Sequence, residues 1–224
     1  MAGIKDKDAI YRGRKYEQVR DGAVQIFLRD GYAGANVDDI ARAARVSKAT
    51  LYAYFPDKKL MFAEVMACRI KAVFVAPPFN PDICGSTADR LYRLLLQLGK
   101  WLAQPDVCLM RRTILTEAGR FPDLARSFIT TENRLVLQPL AKCLESWAST
   151  GQIINADPKK LARQIHALLS GEIQQASASR LPAPLSHAVI AELVDDAAAL
   201  ILRAHVPAAS KPEKAPAGAN RVQG

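Results

Sequence analysis

Lys48, Thr50, Tyr52 and Tyr54 crowd into one short run that also holds Leu51 and Phe55 four residues apart. At about 100° per residue, Leu51 and Phe55 share one side of a helix and point inward. The opposite side carries Ala49, Thr50 and Ala53, flanked by Tyr52 and Tyr54, with Lys48 at the N-terminal end. An ammonium and hydroxyls around two small methyls suit a grooved polyanion such as double-stranded DNA. The methyls let the helix lie deep and meet a thymine methyl, while the polar ends bond phosphates and fix register. The plainer reading is a helical hairpin with a solvated face. Two tyrosines and no acid on that face tell against it.

The elements that must hold this face are legible from caps and stops. Asn36 is placed to cap a preceding helix, with Asp39 completing a weak capping box, and Val37, Ile40, Ala41 and Ala44 form its apolar side. Ala44-Arg45-Val46 is the turn, Ser47 caps the second helix, and Pro56 stops it. Lys58, just past the proline, is expected to reach a further phosphate. Upstream, Tyr16 to Asp30 reads as a helix with Val19, Ala23, Ile26 and Phe27 inward and Gly31 as its stop.

This segment resembles the DNA-binding domain of the TetR family of bacterial transcription regulators. The resemblance rests on Ala23–Gly34 (AVQIFLRDGYAG), Val37–Phe55 (VDDIARAARVSKATLYAYF) and Asp57–Val65 (DKKLMFAEV). Arg111–Phe128 and Gly151–Ile173 resemble the family's ligand-binding domain more loosely, in the right order. Two positions depart from the pattern. Arg45 stands where the family usually has glycine in the turn, and a positive φ there carries a penalty of about 1 kcal/mol, against which Arg45 adds a phosphate contact. Asn36 stands where threonine is common, and both residues cap.

Composition fits this reading. The chain has 224 residues, half of them hydrophobic, and a net charge of +9. Up to Leu60 there are twelve Lys or Arg against eight Asp or Glu, a mild bias toward polyanions, since counterion release follows contacted phosphates rather than total charge. No apolar run reaches the roughly 20 residues that span a bilayer, and no signal peptide is visible, so the expected setting is cytoplasmic without membrane contact. Cys68, Cys84, Cys108 and Cys143 are widely spaced and read as free thiols. No P-loop, nucleophile elbow or H-E-x-x-H motif is present, so neither enzyme activity, nor a cofactor, nor a metal is expected.

The expected architecture is all-α. Residues 1–15 form a flexible basic arm, 16–56 a helix-turn-helix domain, 57–205 a helical effector-binding and dimerisation domain, and 206–224 a disordered tail. A helix from Asp57 to about Val75 has an apolar face too broad for one neighbour and should link the two domains. Pro122 opens a long helix to about Thr150, with Pro139 as its point of distortion. Met66, Phe74, Leu94, Leu98, Trp101, Met110, Ile114, Phe121 and Phe128 are candidates to line a cavity, with Glu117 among the polar anchors. For each alone a packed core is the plainer reading, and resemblance to the family favours a small-molecule effector pocket there. Leu161, Ile165, Leu168 and Leu169 line one late helix, and Ile190, Val194, Ala197 and Ile201 another, and for both packing within the chain is the plainer reading. In the resembling family this pair of helices makes a four-helix homodimer interface, which spaces two recognition helices about 34 Å apart on a palindrome. Rival readings are a regulator without effector and a helical enzyme or adaptor that does not use DNA.

Overall fold

The computed structural model describes residues 13–80, 84–178 and 183–207, so the arm up to residue 12 and the tail from residue 208 lie outside the described residues. Among those described, every regular element is helical: α1 (Arg14–Gly34), α2 (Val37–Ala44), α3 (Lys48–Tyr54), α4 (Lys58–Val73), α5 (Thr87–Leu102) and α6 (Pro105–Thr116), then α7 (Pro122–Glu132), a π-helical segment (Asn133–Leu137), α8 (Gln138–Ser149), α9 (Pro158–Ala178) and α10 (His187–His205). None of these helices is long and apolar enough to cross a membrane.

Helix α1 begins at Arg14, two residues before the expected start, so Arg14 and Lys15 belong to a helix and not to an arm. Val19, Ala23, Ile26 and Phe27 are buried as the periodicity requires. Gly31 does not end the helix. It takes φ 70°, open to glycine without steric cost, and the chain resumes for one more turn. This kink brings Tyr32 against Phe27 and edge-on to Phe62 of α4. Helices α1 and α2 cross where Gly22 meets Ala44: a Cβ on Gly22 would lie 2.6 Å from the Ala44 backbone nitrogen. Only glycine permits that approach without moving the backbone.

The long helix expected from Pro122 to Thr150 is interrupted ahead of Pro139. Proline has no N–H to donate, and its ring crowds the carbonyl four residues back, here that of Leu135. The widened π turn over Asn133–Leu137 accommodates both effects. Helix α9 starts as Asp157-Pro158 predicts, with Asp157 Oδ1 accepting from the N–H of Lys159 at 2.8 Å and of Lys160 at 3.2 Å.

Helix α4 joins the two halves. Its Phe62 packs on Phe27 of α1 with centroids 5.0 Å apart and on Phe121, just before α7, at 4.5 Å. Tyr16 donates to Glu64 of α4 at 2.7 Å. Farther on, Leu91, Leu94, Leu95 and Leu98 of α5 are fully buried, and Gly99 lets α10 close in, since a Cβ there would stand 3.0 Å from Val194.

Candidate nucleic-acid interface

Helix α3 owes its position to two caps and one left-handed residue. Asn36 Oδ1 accepts from the Asp38 N–H at 2.9 Å and starts α2. The capping box does not close: the Asp39 carboxylate takes Arg42 at 2.6 Å instead. Arg45 sits at φ 56°, ψ 42° and directs its N–H back to the end of α2, while the Val46 N–H reaches the Ala41 carbonyl at 3.0 Å. The left-handed turn anticipated for this position is therefore present, with arginine bearing the strain that glycine would avoid. Ser47 Oγ accepts from the Thr50 N–H at 3.1 Å and starts α3. Leu51 and Phe55 are buried, which turns Lys48, Ala49, Tyr52 and Ala53 outward and leaves them exposed.

Several polar groups on this surface are already engaged. The Thr50 and Ser47 hydroxyls lie 2.9 Å apart. Tyr54 is half-buried, edge-on to Tyr16 with ring centroids 5.9 Å apart. Lys48 Nζ stands 2.6 Å from Asp38 Oδ1, and this hydrogen bond and charge raise the ammonium's pKa. Asp38 escaped notice in the sequence because it lies on α2. An acid therefore does adjoin the recognition face, contrary to the reading of α3 alone.

Lys58 is placed differently from expectation. Its ammonium points back at the Ala33 carbonyl, 3.4 Å away, and lies 4.8 Å from the centre of the Tyr32 ring. Burial lowers its pKa, and nearby Arg120 adds to the shift. Its ammonium thus lies against the domain joint.

The residues nominated for an effector pocket separate into two groups. Phe74, Trp101 and Phe128 come together, with ring centroids 5.3 and 5.7 Å from Phe74, and Met66, Leu94, Leu98, Met110 and Ile114 are buried in the same core. Phe121 instead joins Tyr32 and Phe62 at the domain joint. Glu117 bonds Arg120 at 3.1 Å and faces that joint too. Sequence reasoning pointed to Arg111 as a polar anchor and to His166 as a core or interface histidine, but missed Glu132, which joins them. Buried Glu132 pairs with Arg111 and stands 3.3 Å from His166 Nε2. Burial alone would raise the Glu132 pKa, but His166 and Arg111 outweigh it and leave the carboxyl below its usual value.

The dimer residues also divide. Ile190, Val194 and Ala197 are buried within the chain, the first two against α5 around Gly99, so for them the packing is internal. Leu169 is fully buried as well. Leu161, Ile165 and Ile201 are buried too, but together with half-buried Leu168 and exposed Leu200 they line a shallow groove of about 270 Å³ between α9 and α10.

Comparison with known proteins agrees with this geometry. Residues 19–65 match the family model described as bacterial regulatory proteins, tetR family. Residues 89–207 match that of the AefR-like transcriptional repressor C-terminal domain. The HTH-type transcriptional repressor SCO4008 of Streptomyces coelicolor is 36% identical over 74 residues, 33% of this chain and 38% of that protein. The matched stretch thus spans well under half of that curated relative. A TetR-family regulator from Mesorhizobium loti superposes with a TM-score of 0.68 at 23% identity, covering 87% of this chain and 98% of that one. The flavonoid-responsive regulator FrrA is 30% identical with a TM-score of 0.60, covering 88% and 99%. With one model on the helix-turn-helix and another over more than half of its length, the chain belongs to the TetR family of bacterial transcriptional regulators, which are not enzymes.

Proposed function

We propose that this protein is a homodimeric transcriptional repressor that works in the cytoplasm, binds a palindromic operator and leaves it when a small apolar or amphipathic effector binds. The observation that carries the reading is the capped, left-handed corner that presents α3 with Lys48, Ala49, Tyr52 and Ala53 outward. That face offers few base-reading groups, which favours two copies acting together on a two-fold site. The groove between α9 and α10, with Leu168 and Leu200 at its surface, supplies apolar area for the second copy.

The aromatic trio Phe74, Trp101 and Phe128, with Arg111 5.8 Å from the Phe128 ring and the Glu132–His166 contact nearby, suits a planar molecule bearing hydroxyls or an acidic group. Likeness to a flavonoid-responsive regulator supports the same class. Release proceeds as a population shift: the effector favours one setting of α4, and the spacing of the two α3 helices changes with it. A coupling of about 1–3 kcal/mol alters operator affinity about 5–150-fold.

A fluorescence-anisotropy titration of the purified protein on DNA from upstream of its own gene, with unrelated competitor DNA, tests the reading. Retention against competitor supports an operator, and equal displacement by any DNA refutes it. Sedimentation of wild type and Leu200→Asp tests the dimer, and a flavonoid panel added to the DNA complex tests release.

A further inference from the structure

The outward face of α3 has no carboxylate of its own, yet the fold sets one beside it. Asp38 and Lys48 hold each other at 2.6 Å with side chains 50% and 55% exposed. A pair so exposed adds little to stability. Nor does the Asp38 carboxylate cap α2, since Asn36 does so through the Asp38 N–H. The neighbouring acid Asp39 is matched within its own helix by Arg42. Asp38 alone reaches across the corner to the first residue of α3.

Toward a phosphate backbone this carboxylate is repulsive and offsets the charge of Lys48. Toward base edges it is complementary. In the major groove a G·C pair presents two adjacent acceptors, guanine N7 and O6, followed by the cytosine N4 amino donor. An ammonium with several donors beside a carboxylate answers that order. An A·T pair alternates acceptor, donor, acceptor, so in either orientation it sets an acceptor against the carboxylate. With the Thr50 hydroxyl held by Ser47, few other groups on α3 are free to read a base.

We infer that Asp38 and Lys48 form one base-reading unit, and that each operator half-site carries a G·C pair whose guanine faces Lys48 and whose cytosine amino group donates to Asp38. This rests on the operator reading above. The test is selection of bound duplexes from a random pool by the full-length protein, alongside Asp38→Ala, Lys48→Gln and the double variant, each checked for unchanged helix content. In the expected result, wild type demands G·C at one position per half-site. Asp38→Ala flattens that position by about 5- to 150-fold without weakening binding to unselected DNA. Lys48→Gln flattens the same position, and the double variant flattens it no further. If Asp38→Ala tightens binding to every duplex and leaves the preference intact, the carboxylate only neutralises Lys48 and the inference is overturned. Loss of preference at different positions in the two single variants overturns it as well. A wild-type protein that selects no sequence overturns the operator reading and this inference with it, whereas failure of the variants alone leaves that reading standing.

Discussion

The helix-turn-helix and the C-terminal core handle polar groups in opposite ways. In the former, polar partners stay in water and most are neighbours in sequence: Asn36 with Asp38, Asp39 with Arg42, Ser47 with Thr50, with Asp38 to Lys48 crossing between helices. In the latter, Arg111, Glu132 and His166 come from α6, the end of α7 and α9, and meet out of water. The exposed set shapes a surface at little energetic stake per contact. The buried set carries a large stake, because any unpaired member keeps its desolvation cost.

The strongest challenge to this contrast is Glu132→Ala. It leaves Arg111 and His166 without their shared acceptor and should cost about 3–5 kcal/mol, read as a lowered midpoint in urea. A loss below about 1 kcal/mol would mean the cluster is stabilised much like a surface pair. The same carboxyl gives a pH signature. Held below its unfolded value of about 4.3, it contributes fully above that value, and its contribution disappears as pH falls through the folded pKa. Wild type should therefore lose more stability than Glu132→Gln on acidification from pH 5 toward 3. Next comes Gly22→Ala, which forces α1 from α2 and should cost about 1–3 kcal/mol together with DNA affinity. If thermal unfolding and binding are both unchanged, the contact with Ala44 is softer than its 2.6 Å approach implies. Lys58→Met sharpens the surface side. With its ammonium over Tyr32, the slope of log affinity against log salt should stay the same, and a decrease of about one unit would return Lys58 to the phosphate set. The smallest effect is expected for Arg45→Gly. Relief of about 1 kcal/mol of strain is largely offset by glycine's added unfolded-state freedom, so stability should barely move. The salt slope then reports whether Arg45 touches a phosphate.

These two regions also differ in what their sequence disclosed. Caps, stops and the turn at Arg45 act over three or four residues, so α2 and α3 were readable nearly to the residue. The kink at Gly31 was seen as an ending, because positive φ is common to both outcomes and tertiary contact of Tyr32 decides between them. Pro139 announced a distortion, but its form, a π turn at Asn133–Leu137, depends on what the flanking helices pack against. Asp38 and Glu132, the link between Arg111 and His166, were missed because each joins separate helices and no periodicity couples them. Ile190 and Val194 were legible as apolar and not as internal, since one apolar stripe serves α5 or a second subunit equally well.

The Tyr32 ring has two cationic visitors, Lys58 Nζ at 4.8 Å and the Arg120 guanidinium at 4.9 Å, one from each side of the domain joint. They repel each other while sharing the ring's electrons. Dissolved ions shorten the reach of that repulsion, to about 10 Å at 0.1 M, and the same ions weaken contacts between protein cations and DNA phosphates. Rising ionic strength therefore relaxes one repulsion at the joint while it weakens electrostatic contact with DNA.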